Sequence, residues 1–256
     1  KLFPLPDVME TAFIAVPDTQ SALALVNLLQ DRFSQQLSRC ELMPESGLQM
    51  VLKHISGTRR PLANPSSWYV IIELAAGKEA DLRETLNLCL AAGLEQGIIT
   101  DAAIAETRQQ RKDFWYLREA VSEAQREEGG SVKLDVSVPL ARIPEFLSQA
   151  AETVERICSG ARPIPFGHLG DGNIHYDICQ PVSMNKKDYL ARWDEIADPL
   201  HQIVLRFGGS IAAEHGVGFM KRGLIAETKS QVEMDLMRTI KKALDPHNLI
   251  NPGKVV

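Results

Sequence analysis

An α+β fold, antiparallel sheet covered by helices on one side, is the architecture this sequence predicts, and three observations carry it. Short β-branched runs alternate with amphipathic helical stretches along the chain. Residues 132–138 alternate apolar and polar side chains strictly, which marks a strand with one buried face. Central strands of a doubly wound parallel sheet, the competing architecture, tend to be apolar throughout. Strand-helix-strand units recur in both halves, which suggests a structural duplication, although no residue-level repeat accompanies it.

The elements follow in order. Phe13-Ile14-Ala15-Val16 reads as a strand, and Pro17-Asp18-Thr19 caps a helix carrying Ala22, Leu25, Val26 and Leu29 on one face. The run WYVIIEL over 68–74 is a second strand. A helix over 78–92 follows it, with Leu82, Leu86 and Leu90 inward and Gly93 at the expected C-cap. Residues 101–105 form a short strand, and a long helix over about 107–127 ends at Gly129-Gly130. After the alternating strand, helices over 144–157 and 187–207 flank a strand region over 164–178. Asp245-Pro246 ends a last helix.

Composition narrows the classes of function. The chain has 256 residues, 45% hydrophobic and 24% charged, with a formal net charge of −5. That is an ordinary globular balance, and the sign gives no reason to expect a nucleic-acid partner. The four cysteines, Cys40, Cys89, Cys158 and Cys179, lack CxxC spacing, so a disulfide framework or cysteine metal cluster is not expected. Reduced core thiols fit a cytoplasmic location, free or peripheral at the inner membrane. No apolar run approaches the roughly 20 residues needed to cross a bilayer. The chain starts at Lys1 without Met. No GxGxxG fingerprint follows a strand and no P-loop is present. The glycine-rich turn at Gly167, Gly170 and Gly172 leads into a strand, not a helix whose N-terminus could cradle phosphate.

The densest chemical signal is Gly167-His168-Leu169-Gly170-Asp171-Gly172-Asn173-Ile174-His175. On an unbroken strand, histidines seven apart would face opposite ways. Three glycines with Asp and Asn force a tight turn instead, and a turn can bring both imidazoles to one point. A lone histidine is usually a satisfied core or surface residue; a pair flanking a glycine turn divides evenly between structure and site. The second signal is 208–218, GGSIAAEHGVG, where Glu214 and His215 stand side by side in a segment with little bulk to pack. Two imidazoles and a carboxylate suit zinc, manganese, cobalt or iron(II), and three protein ligands leave positions open for chemistry. His215 then stands free beside the metal as a general base.

Phe114-Trp115-Tyr116 in the long helix reads as core. Arg118 after it can pair with Glu119 or Glu123 on the helix surface, the reading favoured by the residues alone, or clamp a substrate carboxylate. Lys133 shares parity with Asp135 and Ser137 on the polar side of its strand, facing either solvent or a pocket. The tail LDPHNLINPGK is irregular chain, at the surface or ordered by packing on something else.

In order and spacing, GHLGDGNIH, AEHGVG and LDPHNLINPGK resemble the C-terminal domain of the FAD-linked oxidases of the vanillyl-alcohol-oxidase superfamily, and most closely the D-2-hydroxyglutarate, D-lactate and glycolate dehydrogenases. The resemblance spans 1–256, and the opening KLFPLP is similar to the junction after the family's flavin domain. It implies a ferredoxin-like α+β substrate domain, with the FAD-binding domain upstream of residue 1 as partner. It implies His168, His175 and Glu214 as ligands of a divalent metal, zinc foremost, and His215 as the base. Arg118, Ser122, Lys133 and Asn173 would bind a small 2-hydroxy-acid substrate, and Asn251 would approach the flavin. The reaction implied is oxidation of a D-2-hydroxy acid to a 2-keto acid by hydride transfer to FAD, with the substrate, metal, electron acceptor and any homodimer left open. Without FAD the chain should bind metal and substrate but not turn over.

Two other classes compete. A zinc hydrolase would use the same donors to activate water, and needs neither flavin nor the tail. A non-catalytic binding module with a vestigial site would bind no divalent metal.

Overall fold

The structure, a computed structural model, describes residues 5–77 and 81–256. Residues 1–4 and 78–80, parts of the expected junction and of the expected second helix, lie outside them. Seven strands form one sheet: β1 (Val8–Val16), β2 (Leu37–Pro44), β3 (Trp68–Ala76), β4 (Asp101–Ile104), β5 (Ser131–Ser137), β6 (Arg162–His168) and β7 (Asn173–Cys179). Their order is β4-β1-β3-β2-β6-β7-β5, and every pairing is antiparallel.

The helices are α1 (Thr19–Phe33), α2 (Glu45–His54), α3 (Leu82–Glu95), α4 (Arg108–Glu119), α5 (Val121–Ala124), α6 (Ile143–Ile157), α7 (Lys186–Leu190), α8 (Trp193–Arg206), α9 (Arg222–Thr228) and α10 (Gln231–Leu244). Asp18 caps α1 by accepting from the Ser21 N–H, as its position before the apolar stripe predicts.

The order β4-β1-β3-β2 with crossover helices α1 and α3 is a ferredoxin-like unit. The second half repeats it: β5, α6, β6, β7 and α8 lead to Ser210, which forms a bridge with Ser137 at the free edge of β5. The duplication is therefore real at the level of topology, with the second unit's last strand reduced to a bridge. The units meet edge to edge where Glu41 and Leu42 of β2 pair with His168 and Gly167 of β6. Pro163 and Pro165 have no N–H with which to extend that ladder.

Helices α1, α3, α6 and α8 cover one face of the sheet, packing Leu25, Leu86, Phe146 and Leu200 against Ile14, Ile72, Leu134 and Ile178. Each such side chain, fully buried, contributes about 1.5–3 kcal/mol. The expectation of helices on one side only needs correcting. On the opposite face, α2, α4 and α5 pack Leu48, Val51, Phe114 and Val121 over Phe13, Met43 and Ile71. They leave the stretch around the β6–β7 junction uncovered.

Other expectations change as well. The helix over 107–127 is broken at Ala120 and finishes in a 3-10 turn at Gln125–Glu128. The helix over 187–207 is two helices, α7 and α8. Gly93 is no C-cap: α3 runs on to Glu95, and a Cβ at Gly93 would lie 2.6 Å from Ile99, so the glycine serves packing. The strand region over 164–178 is a hairpin, β6 and β7. No helix among the described residues is long and apolar enough to cross a membrane, and all four cysteines are free and buried.

Candidate metal and substrate site

Strand register builds the site. Directly paired residues on neighbouring strands point to the same face. Glu41 pairs with His168 and His168 with Asn173; His175 pairs with Phe166 on one side and Asp135 on the other; Asp177 pairs with Lys133. All eight share the face on which α2, α4 and α5 lie, and Phe166 is packed beneath those helices. Between His168 and His175 the chain turns through 169–172, with Leu169 buried beneath. Gly172 has φ +83°, and a Cβ there would stand 2.2 Å from the Val138 carbonyl, so the turn admits glycine alone. The turn chemistry expected from the sequence thus brings the two imidazoles together, with ring centroids 6.0 Å apart.

The Ser137–Ser210 bridge lays residues 210–215 alongside β5. A Cβ on Gly209 would meet the Ser137 carbonyl at 2.1 Å, which explains one of the glycines opening that segment. Glu214 then reaches both histidines: Oε2 lies 3.3 Å from His168 Nε2 and Oε1 lies 3.1 Å from His175 Nε2. The opposite ring edges also face carboxylates. His168 Nδ1 is 3.1 Å from Glu41 Oε1, and His175 Nδ1 is 3.6 Å from Asp135 Oδ1.

These donors fit a divalent metal. With Nδ1 of each ring toward Glu41 or Asp135, both Nε2 atoms are turned toward the Glu214 carboxylate. Two imidazole nitrogens and a carboxylate converging on one point are a donor set that a cation can join, and carboxylates behind ligand imidazoles are the usual supporting shell. Burial and the nearby Arg118 charge lower the His175 pKa to about 4, so its ring is neutral and ready to ligate at neutral pH. Asp135, His175, Glu214 and His215 also offer atoms within 4.8 Å of one another. We favour the set with His168, because Asp135 Oδ2 already accepts the N–H groups of Glu214 and His215 at 2.9 and 2.8 Å.

Two open clefts flank Arg118, and His175 lines both. One, of about 710 Å³, runs over Arg39, Glu41, Trp115, His168 and Glu214. The other, of about 450 Å³, is walled by Ser122, Lys133, Asp177, His215 and Lys221. Arg118 does not make the expected surface pair with Glu119 or Glu123. Its Nε donates to Glu41 Oε2 at 2.8 Å and its guanidinium lies over the Phe166 ring, so α4 aims it into the site. Lys133 Nζ donates to Asp177 Oδ2 at 2.9 Å and to Gln125 Oε1 at 2.8 Å. Burial pushes the Asp177 carboxyl up, opposed by that ammonium.

The buried Asn173 leaves its Oδ1 without a partner beside the histidines. His215 is largely exposed and stacks on His175, with centroids 5.2 Å apart. Asn251 is exposed in the tail and lines neither cleft, so this chain does not bring it to the other site residues. Trp115 belongs to the cleft as well as to the core expected of it. Glu41, Asp135, Asp177 and Lys221 also belong to the site, though no sequence motif marks them. Asp135 and Lys133 share strand parity, a signal that could have found Asp135; Glu41 stands in no motif.

An antiparallel, duplicated ferredoxin-like sheet carrying a His-His-Glu cluster on its open face is the class this geometry defines. Residues 5–255 match the family of FAD linked oxidases, C-terminal domain, and the chain belongs to that family. It is 36% identical over 224 residues to a D-2-hydroxyglutarate dehydrogenase of Xanthomonas citri pv. viticola, covering 88% of this chain and 47% of that protein. It is 33% identical to the mitochondrial D-2-hydroxyglutarate dehydrogenase of Arabidopsis thaliana, covering 96% of this chain and 42% of that one. The chain thus spans about half the length of these relatives. Among solved structures, p-cresol methylhydroxylase superposes with a TM-score of 0.69 at 13% identity, covering 99% of this chain and 54% of that one. A 4-ethylphenol oxidase from Gulosibacter chungangensis does so with a TM-score of 0.61 at 18% identity, over 100% of this chain and 55% of that one. Both likenesses concern the fold.

Proposed function

We propose that this chain is the substrate- and metal-binding part of a flavin-dependent dehydrogenase that oxidises a D-2-hydroxy acid to a 2-keto acid. The observation that carries the proposal is the convergence of His168 Nε2 and His175 Nε2 on the two oxygens of Glu214, with the exposed His215 alongside. The names of the relatives support the substrate class, and family membership weighs against the hydrolase alternative. The antiparallel sheet offers no parallel strand-to-helix phosphate cradle among the described residues, so the flavin would be held mainly by the rest of the parent protein. Along α10, Val232, Leu236, Ile240 and Leu244 form an exposed apolar stripe, suited to cover by that remaining half.

His168, His175 and Glu214 would hold the metal. When bound, it supplies Lewis-acid stabilisation of the substrate's hydroxyl oxygen, and the flavin supplies the hydride acceptor. The protein's side chains do the rest. Arg118, already oriented by Glu41 and Phe166, presents its remaining N–H groups to the substrate carboxylate. Ser122 and Lys133 line the cleft in which the substrate's other end would lie; the buried Asn173 lines neither cleft. His215 Nε2 takes the hydroxyl proton and carries it outward through an exposed ring.

The test uses the full-length parent protein. Flavin reduction after mixing with D-2-hydroxyglutarate or D-lactate is expected to slow by about 10²–10⁴-fold in His215→Asn. Reduction at the wild-type rate in that variant would contradict the role given to His215.

A further inference from the structure

We infer that Asp135 is a positioning residue that sets which ring nitrogen carries the proton on two histidines at once, His175 and His215. Asp135 sits mid-way along β5, nearly inaccessible to solvent, and pairs across the ladder with His175. Its Oδ2 accepts the backbone N–H groups of Glu214 and His215, at 2.9 and 2.8 Å, and so fixes the peptide that carries both side chains. The same oxygen lies 3.8 Å from His215 Nδ1, while Oδ1 lies 3.6 Å from His175 Nδ1.

Oδ1 is buried and has no hydrogen-bond partner. A buried carboxylate oxygen left unsatisfied costs free energy, and the donor nearest to hand is an Nδ1–H of His175. The two imidazoles stack with an interplanar angle of 12°, and the contacts of their nitrogens show the same edges turned the same ways. Both Nδ1 atoms face Asp135. Both Nε2 atoms face Glu214 Oε1, at 3.1 Å from His175 and 3.6 Å from His215.

An ionised carboxylate can only accept, so it favours the Nδ1–H form of each ring. The Nε2 lone pairs are then left on the side where a ligand and a base need them. Lys221 adds to the frame from behind, donating from Nζ to the carbonyls of Asp135 and Ile211.

The prediction for metal binding follows from the histidine geometry alone; its consequence for turnover rests on the proposed dehydrogenase function. Asp135→Asn separates anchoring from tautomer control. The carboxamide oxygen, in the place of Oδ2, can still accept the two backbone N–H groups, while the NH₂, in the place of Oδ1, meets His175 Nδ1 and favours the opposite tautomer of that ring. The experiment labels histidine selectively with ¹⁵N in the full-length, metal-free protein and reads ring nitrogens through long-range ¹H–¹⁵N correlations. Wild-type His175 and His215 are expected as Nδ1–H forms, and Asp135→Asn is expected to move His175 toward Nε2–H while His215, which faces the retained oxygen, stays Nδ1–H. Zinc affinity, measured by chelator competition, should fall by about 10–100-fold in the variant. An Nε2–H form of either ring in the wild type overturns the inference with no variant required. So does unchanged zinc affinity in a folded Asp135→Asn protein. Loss of flavin reduction by every 2-hydroxy acid, with the tautomers as expected, would instead discard the proposed reaction and keep this role.

Discussion

Glu41 ties His168, in one cleft, to Arg118, which lines both. One oxygen faces His168 Nδ1 at 3.1 Å and the other accepts from Arg118 Nε at 2.8 Å, so a single buried carboxylate orients a candidate ligand and a candidate substrate clamp. Replacing it with alanine leaves a mostly buried guanidinium unpaired and frees the imidazole to turn. Glu41→Ala should weaken zinc binding by about 10–100-fold, as loss of a carboxylate behind a ligand histidine does. Isothermal titration of the full-length protein checks this, and affinity equal to wild type would remove Glu41 from the account. The same residue shows where sequence reasoning ends. Histidines, glycines and the Glu-His pair announce themselves by residue type and local spacing. The partner of Arg118 lies 77 positions away, on a strand with no motif. Reading Arg118 from its helix neighbours alone therefore gave the wrong partner.

At the level of elements, the alternating pattern of β5 predicted an antiparallel sheet correctly, and the glycines of the 167–175 segment predicted a turn that proved to be a hairpin. The break at Ala120 was invisible because no glycine or proline marks it; beyond it Val121 and Ala124 are buried beside α2. Strand β2 and helix α2 escaped notice because their apolar and polar residues follow neither period cleanly. These overlooked elements also carry an electrostatic tie. Glu128, at the end of the 3-10 turn, accepts from Lys53 and pairs with His54, both on α2, and with Arg162 on β6. Those hydrogen bonds, led by that of Lys53, hold its carboxyl near a pKa of about 2 against an ordinary 4.5. The folded state therefore binds fewer protons than the unfolded state between these values. The contribution is full above pH 4.5 and is lost as pH falls toward 2. Wild-type melting temperature should fall across that window, and Glu128→Gln should show a shallower slope there. Parallel slopes would mean that the cluster does not couple to folding.

At the level of the whole molecule, the fold is two ferredoxin-like units joined through β2 and β6. That join explains why the site stands where it does. The seam is the place where the ladder shortens and where the β6–β7 turn delivers its histidines. From the sequence, the fold class and the suggestion of a duplication were legible, because periodicity records burial. The edge-to-edge joining of the units was not, because strand order leaves no local trace. The residue types that converge were legible too, while Glu41, beside His168 and Arg118, emerges only from register. The central claim is that one face of this sheet holds a single divalent metal between His168, His175 and Glu214. Equilibrium dialysis of the full-length protein against zinc, with elemental analysis, tests it directly. The account predicts about one zinc per chain at that site, lost when His168 and His175 are both changed to alanine in a protein that still folds. No bound zinc in the wild type, or the same stoichiometry in the doubly substituted protein, would contradict it.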